Sequence, residues 1–333
     1  MVDLKGKHKV ISILLPAKNE EAYLEECIRS IREQTYAHWE LLVIDDNSSD
    51  LTWSVANQYS QLDARIRCFK NEGAGVIEAL RTGYKHCTGS LITRMDADDL
   101  KTPDNLEALL AASGVGIVAV GQVQYFREGG IGEGYARYAK WLNGFADQNN
   151  HYDMIYKECV IPSPCWMVYK TDLDKLESFE PNLYPEDYDL CFRFYKAGLI
   201  PRATRGIVHL WRDHDARSTR TSDLYRDNRF LDLKLYYFLK LDHNPKQPLL
   251  LWGAGRKGKY LANHFREHGV NFRWVTSNPN KIGHLIYDVS LEDSTSLSFD
   301  DVAQIVVAVG QPLGQEEIKE SLSVYKGQVF WFC

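Results

Sequence analysis

Two apolar patterns alternate along the first 126 residues. "VISILLP" (10–16) and "ELLVIDD" (40–46) are unbroken apolar runs closed by proline or by acids, as strands covered on both faces should be. Between them, "NEEAYLEECIRSIREQT" repeats at helical spacing. Leu24, Ile28 and Ile31 share one face, Asn19 stands at the N-cap position, and Glu20 and Glu21 fill a first turn where acids are favoured. The unit then recurs, with a helix from about 50, a strand at 66–69, a helix from about 75 and the run "SLITRM" at 90–95. Thr102 and Pro103 read as N-cap and first residue of a further helix, and "IVAVGQVQYF" (117–126) reads as the next strand. This alternation predicts an α/β fold with a mostly parallel sheet between helical layers. In such sheets the functional loops gather at the carboxyl ends of the strands.

From about 127 the alternation gives way to aromatic-rich sequence, an elaboration on the sheet that includes the helix-like "EDYDLCFRFYKAG" with Gly198 as its stop. The segment "SDLYRDNRFLDLKLYYFLKLDHNPKQP" reads as helix up to two prolines. A linker at 243–248 is therefore the expected boundary between a first domain, residues 1–243, and a second, residues 249–333. In the second, "LLLWGAGRKGKYLANHFREHG" reads as strand, glycine turn and helix, and "FRWVTS", "IVVAVG" and "QVFWFC" read as strands of a small Rossmann-like α/β unit.

Length and charge narrow the classes without choosing one. A chain of 333 residues holds two domains, and a formal net charge of −6 without a basic, aromatic-interleaved run argues against nucleic acid as a partner. Seven cysteines without a C-x-x-C pair give neither a disulfide framework nor a zinc site, which suits a reducing, cytoplasmic setting. The apolar stretch before Pro16 is about six residues, too short for a signal core or a membrane span. No window reaches a transmembrane length, which leaves peripheral membrane contact, with the aromatic-rich helix near 236 as its candidate.

The candidate chemistry starts at "RMDADDLKTPD" (94–104), where Asp96, Asp98 and Asp99 crowd the end of a buried strand. A single acid there caps the next helix or faces water, but Thr102 already occupies the cap position. In extended chain Asp96 and Asp98 point the same way, and two like charges held together call for a cation. Oxygen donors with open positions suit Mg²⁺ or Mn²⁺ held largely by phosphate oxygens, so a divalent ion with a diphosphate is the expected ligand.

With "LLPAKNEEAYLEECIRSIREQTYAHWELLVIDDNSSD", "RMDADD", "PEDYDLCFRFYKAG" and "WRDHDARSTR" in this order, the chain resembles the family 2 glycosyltransferases over roughly residues 8–220. The resemblance implies the GT-A nucleotide-sugar fold and an inverting, metal-dependent transfer from a nucleoside-diphosphate sugar, UDP-sugar being favoured, to a glycan, lipid-linked or protein hydroxyl. It places Pro16, Ala17 and Glu20 by the base and ribose, Asp46 on the uracil imide hydrogen and Asp96 near the ribose or the metal. Asp98 becomes the principal metal ligand, with His214 completing the metal shell or touching the diphosphate. Arg212 and Arg217 would assist, and His209 competes with His214. Asp187 would be the general base with Glu186 shaping its surroundings, since an acceptor hydroxyl must lose its proton as it attacks. Trp141 and Trp166 are sugar platforms or core. Two departures from the family pattern touch the donor and acceptor sides: "GVIEALRTGY" replaces the Arg-Asn often found after the third strand, and Ser163 stands where many relatives have histidine.

The whole chain also resembles a subgroup of N-acetylglucosaminyltransferase-like proteins in which a glycine-rich tail follows the transferase domain. In that tail Gly253, Gly255 and Gly258 have the G-x-G-x-x-G spacing between strand and helix, a phosphate-binding context. Ser277 and Asn278 stand where NAD binders present an acid. Two alternatives follow: a nucleotide-sugar-binding regulator without turnover, and an NAD-dependent sugar oxidoreductase run by the tail.

Overall fold

Ile11, Ile13, Leu14 and Leu15 are fully buried because strand β1 (Ile11–Ala17) is covered on both faces. On one side Ile11, Ile13 and Leu15 pack with Leu24, Ile28 and Ile31 of α1 (Leu24–Arg32). On the other, α3 (Val76–Lys85) comes so close that a Cβ on its Gly83 would lie 2.6 Å from Ile44 Cδ1 and 3.0 Å from Leu14 Cδ2. Each fully buried branched aliphatic contributes about 1.5–3 kcal/mol, so this central strand anchors the sheet. The structure is a computed structural model and describes residues 8–146, 148, 150–215, 217, 229–299 and 302–333.

The first sheet has eight strands in the order β3-β2-β1-β4-β7-β6-β8-β5. They are β1, β2 (Trp39–Asp45), β3 (Ile66–Lys70), β4 (Leu91–Arg94), β5 (Leu100–Lys101), β6 (Ile117–Phe126), β7 (Trp166–Tyr169) and β8 (Ile200–Arg212). Strands β3, β2, β1 and β4 run parallel, as do β6 and β8, whereas β7 is antiparallel to both its neighbours and β5 to β8. The helices between them include α2 (Thr52–Leu62), α4 (Asn105–Ala112), α5 (Glu133–Asn143), α6 (Lys170–Lys175) and α7 (Glu186–Lys196). The mostly parallel α/β sheet is as the periodicity predicts.

Three local expectations change. Helix α1 starts at Leu24, not after Asn19: Asn19 takes a left-handed conformation (φ 56°) and its Oδ1 accepts the Ser49 N–H at 2.9 Å. Helix α4 starts at Asn105, because Thr102 spends its hydroxyl on Asp104 Oδ1 at 2.7 Å and on the Val208 carbonyl. Residues 96–99 are not extended but form a turn, in which the Asp99 N–H donates to the Asp96 carbonyl at 3.3 Å. Gly198 does end α7, with φ +70° and the Leu199 N–H returning to the Phe194 carbonyl.

The chain divides into two compact units, Met1–His151 with Val160–Ser222, and Tyr152–Cys159 with Asp223–Cys333. The linker expected at 243–248 therefore lies inside the second unit. There α8 (Arg229–Leu241) sends Phe238 against Phe265, Phe330 and Phe332, and Tyr156 stacks on Phe332 with ring centroids 5.3 Å apart. Positions 222–228 of the expected helix lie outside the described residues. Tyr237 and Phe238 are buried, and of the aromatics near 236 Tyr236 is the exposed one, so this helix uses its apolar face as core. Among the described residues no helix is long and apolar enough to cross a membrane.

The second unit has its own six-stranded sheet, ordered β11-β12-β10-β9-β13-β14. It comprises β9 (Leu249–Trp252), β10 (Phe272–Thr276), β11 (Leu285–Ile286), β12 (Val289–Asp293), β13 (Gln304–Val307) and β14 (Gln328–Trp331), parallel except for the β11–β12 pair. Helices α9 (Arg256–Glu267) and α10 (Pro312–Ser321) connect its strands.

Candidate active site

The carboxyl ends of β1, β2 and β4 bring the predicted donor residues together. Ala17 closes β1 and its carbonyl accepts the Asp46 N–H at 2.8 Å; Pro16 precedes it at partial exposure. The Asp46 carboxylate is buried and well engaged. Oδ1 accepts Asn71 Nδ2 at 2.6 Å and the Gly75 N–H at 3.0 Å, while Oδ2 faces Lys18 Nζ at 3.2 Å. Asp45 beside it is fully buried and bonds Lys70 Nζ at 2.7 Å, a structural pairing. Gly75 (φ +88°) needs the glycine conformation to present that N–H.

Glu20 follows β1 in a turn ahead of α1, its N–H held by Thr52 Oγ1 at 2.7 Å. Burial, with the charges of Asp98, Asp96 and Asp50 added, pushes its carboxyl up to about 8. It is therefore a member of the acidic group at the site and not a first-turn helix acid.

The turn after β4 gives each of its three acids a different partner. Asp96 Oδ1 meets Arg94 Nε at 3.0 Å, Asp98 Oδ2 meets His214 Nε2 at 2.9 Å, and Asp99 Oδ2 meets His209 Nε2 at 3.0 Å. Asp99 and His209 are 1% and 0% exposed, and burial drives them in opposite directions, the acid well up and the imidazole well down. They form a neutral internal pair, which removes His209 from competition with His214. His214 packs on the Tyr23 ring at 4.8 Å. Arg212, expected to assist at a diphosphate, is committed to the turn: its Nε donates to the Asp98 carbonyl at 2.7 Å, its N–H to Asp99 Oδ1, and its terminal nitrogen to Glu26. Arg217 lies over the Tyr125 and Trp211 rings; burial works against its charge, but Tyr125, Asp99 and Asp98 hold its ionisation above the ordinary range.

Among the described residues no three His, Cys, Asp or Glu side chains gather to hold an ion by themselves. The donor set at Asp98 and His214 nevertheless fits the divalent ion that the family implies. Their facing atoms are 2.9 Å apart, close to the roughly 3 Å between neighbouring donors on an ion with bonds of about 2.1 Å. Such an ion would need further oxygens from outside the protein, which a diphosphate carries.

Asp187 sits in the first turn of α7, its Oδ1 accepting the Tyr188 N–H at 2.8 Å. Burial and the neighbouring Glu186 charge push its carboxyl up to about 7, against the opposing pull of Arg94. Arg94, at the end of β4, was missing from the sequence expectations. Its Nη1 donates to Glu186 Oε1 at 2.8 Å while its other edge holds Asp96. The available signal was an arginine inside the apolar run "SLITRM", since a charge buried in a strand needs partners.

Other expected residues have internal roles. Trp166 is core, 2% exposed and edge-on to Phe194, so it offers no platform. Trp141 stacks on Tyr138 in an aromatic cluster with Phe145. The Ser163 hydroxyl is buried without a hydrogen-bond partner among the described residues. In the second unit, Gly253 adopts φ +112°, and a Cβ on Gly258 would lie 1.9 Å from the Gly253 carbonyl oxygen, so these two glycines answer to the tight turn and to close packing. Gly255, the N-cap of α9, has open space where its Cβ would be. Asn278 uses its side chain to accept the Asn280 N–H.

A mostly parallel α/β sheet with an acidic turn after its fourth strand, and on a neighbouring helix a carboxyl pushed up to about 7, is the arrangement that the family 2 resemblance implies for a nucleotide-sugar transferase. Comparison with known proteins makes this specific. Residues 12–176 match the model described as glycosyl transferase family 2. The UDP-Glc:alpha-D-GlcNAc-diphosphoundecaprenol beta-1,3-glucosyltransferase WfgD of Escherichia coli is 31% identical over 206 residues, 60% of this chain and 75% of that protein. The chain belongs to the family 2 glycosyltransferases. Glycosyltransferase GlyA of Streptococcus pneumoniae is 35% identical over 99 residues, but this spans 30% of the chain and only 14% of that protein. An uncharacterized glycosyltransferase of Haemophilus influenzae is 39% identical over 102 residues, 32% of its length. The crystal structure of S. aureus TarS 1-349 in complex with UDP-GlcNAc aligns with TM-score 0.54 at 16% identity, over 71% of this chain and 68% of that one, which establishes the shared GT-A fold.

Proposed function

We propose that this protein transfers a hexosyl group from a UDP-sugar to a hydroxyl of a glycan, lipid-linked or protein acceptor, with inversion at the anomeric carbon. The observation that carries this reading is the Asp187 carboxyl, pushed up to about 7 by burial and Glu186 and sensing the charge of Asp96, which lies on the same turn as Asp98 of the Asp98–His214 pair. A carboxyl at about 7 is matched to taking a proton from a hydroxyl at neutral pH. Asp187 would accept the hydroxyl proton as the oxygen attacks the anomeric carbon from the face opposite the departing diphosphate, so one displacement suffices. Asp98 and His214 would hold Mg²⁺ or Mn²⁺, which supplies charge neutralisation for the leaving diphosphate. Pro16, Ala17, Glu20, Asp46 and Asp96 would line the nucleoside. The Ala17 carbonyl anchors the Asp46 backbone N–H and the Gly75 N–H holds its carboxylate, and Asp46 would meet the imide hydrogen at Oδ2, the oxygen that faces the exposed Lys18 ammonium. The similarity to WfgD, a glucosyltransferase by name, supports a hexosyl donor.

The test is a donor panel. UDP-glucose, UDP-galactose and UDP-N-acetylglucosamine are titrated by calorimetry with and without Mn²⁺, followed by UDP release in the presence of hydroxyl acceptors. Metal-dependent binding and acceptor-dependent release are expected. Metal-dependent binding without release under any acceptor would favour a sugar-nucleotide-binding regulator, and NADH formation would favour the oxidoreductase alternative.

A further inference from the structure

Arg94 is the last residue of β4 and its side chain is 10% exposed, yet it carries a permanent charge. Its planar fork faces two elements at once. Nε and Nη2 both lie 3.0 Å from Asp96 Oδ1 on the turn, and Nη1 lies 2.8 Å from Glu186 Oε1 at the start of α7. Glu186 is itself only 11% exposed, so this is a largely desolvated bridge and not a surface ion pair. A lysine could not reproduce it, because a single ammonium lacks the two edges that guanidinium presents.

We propose that Arg94 is a positioning residue for the transfer reaction: by tying the donor-side turn at Asp96 to Glu186, it sets where the neighbouring Asp187 carboxylate stands and places a positive charge beside it. This rests on Asp187 being the base. Among the described residues, the leading charges on Asp187 are Glu186 on its own helix, Arg94 on β4 and Asp96 on the turn. Two of these are negative and favour the protonated acid, while Arg94 opposes them; the Tyr188 N–H assists it. Arg94 thus serves two ends of the reaction. It holds a donor-side acid in place, and it keeps the acceptor-side acid able to lose its proton at neutral pH.

The test is the acidic limb of the kcat profile against pH at saturating donor and acceptor, for the full chain and four variants, Arg94→Met, Arg94→Lys, Glu186→Gln and Asp187→Asn. Arg94→Met should move the limb up by about one pH unit or more, as loss of an opposite charge at close range does. Glu186→Gln should move it down, because a like charge is removed. Arg94→Lys should leave the limb within about half a unit of wild type, since charge is kept, but lower kcat through the lost bridge. A buried ion-pair with a purely structural part would lower activity or melting temperature in all three Arg94 and Glu186 variants without opposite pH shifts. An Arg94→Met protein that folds by circular dichroism and keeps the wild-type limb overturns the proposal. Should Arg94→Met not fold, an unmoved limb in Glu186→Gln overturns it. If the limb survives in Asp187→Asn, the base assignment itself has failed, an outcome separate from any result at Arg94.

Discussion

Asp187, the proposed base, has its carboxyl pushed up to about 7 by burial and Glu186, so its capacity to take a proton from an acceptor should fade as pH falls through that value. The value of kcat/KM should therefore fall with decreasing pH below that point and level off above it, as a pH series in a UDP-release assay would record. Asp187→Asn should keep donor affinity and lose about a hundredfold or more in kcat. Its stability should change in the opposite sense. Burial raises this acid from 3.8 to about 7, so the protonated form suits the fold. Stability present below the unfolded value is lost as pH rises through about 7, and an asparagine, which does not ionise, escapes that loss. The variant should accordingly melt higher than wild type at pH 8 and show no such advantage near pH 4. Asp98→Ala should abolish the gain in UDP affinity brought by Mn²⁺; calorimetry showing an unchanged Mn²⁺ effect would remove this residue from the metal site.

At the scale of elements, the acidic turn is held by strands on its far side. Strand β8 delivers both His209 and Arg212 to it: one hydrogen-bonds the Asp99 carboxyl, and the other bonds the Asp98 carbonyl. The turn's shape therefore depends on β8 as much as on its own sequence. The glycine turn between β9 and α9 is fixed instead by sterics, both within the turn and against Ala308 and Val309 after β13. Gly258→Ala would set a methyl 1.9 Å from the Gly253 oxygen, a backbone atom with little room to move. Overpacking of this kind costs about 1–3 kcal/mol, so chemical denaturation should show a lowered midpoint for that variant. Gly255→Ala meets no atom within 4 Å and should stay within about 0.5 kcal/mol of wild type.

Over the whole molecule, the second unit draws residues from two places in the chain, Tyr152–Cys159 and the region after 222. Truncation after Pro245 would strip Phe330 and Phe332 from Tyr156 and Phe238, leaving aromatic surface that is buried in the full chain. The shortened protein should bind a hydrophobic dye and lose solubility. A soluble, monomeric product with wild-type dye response would show that these rings do not depend on the tail. Any loss of transfer activity in such a truncation has to be judged against this change in folding.

The amino-acid sequence by itself determined the alternation of strands and helices and the positions of the acidic clusters, because apolar runs and helical spacing report local burial along the chain. Asp46 and Asp98 stood out in it as acids at strand ends, whereas Asp187 was singled out by the resemblance of "PEDYDLCFRFYKAG" to the family motif. The sequence placed the unit boundary near 243, where two prolines break the helix, since composition says nothing of which rings Phe238 meets. Only tertiary structure decided the partners: Asp96 with Arg94, Asp98 with His214 and Asp99 with His209. The extended-chain expectation failed here because a turn rotates successive side chains apart, and because their partners come from residues more than a hundred positions away in two of the three cases. Tertiary burial also sets proton affinity: it does most to push the Asp187 carboxyl up to about 7, with the adjacent Glu186 adding to it and Arg94 from a distant strand opposing.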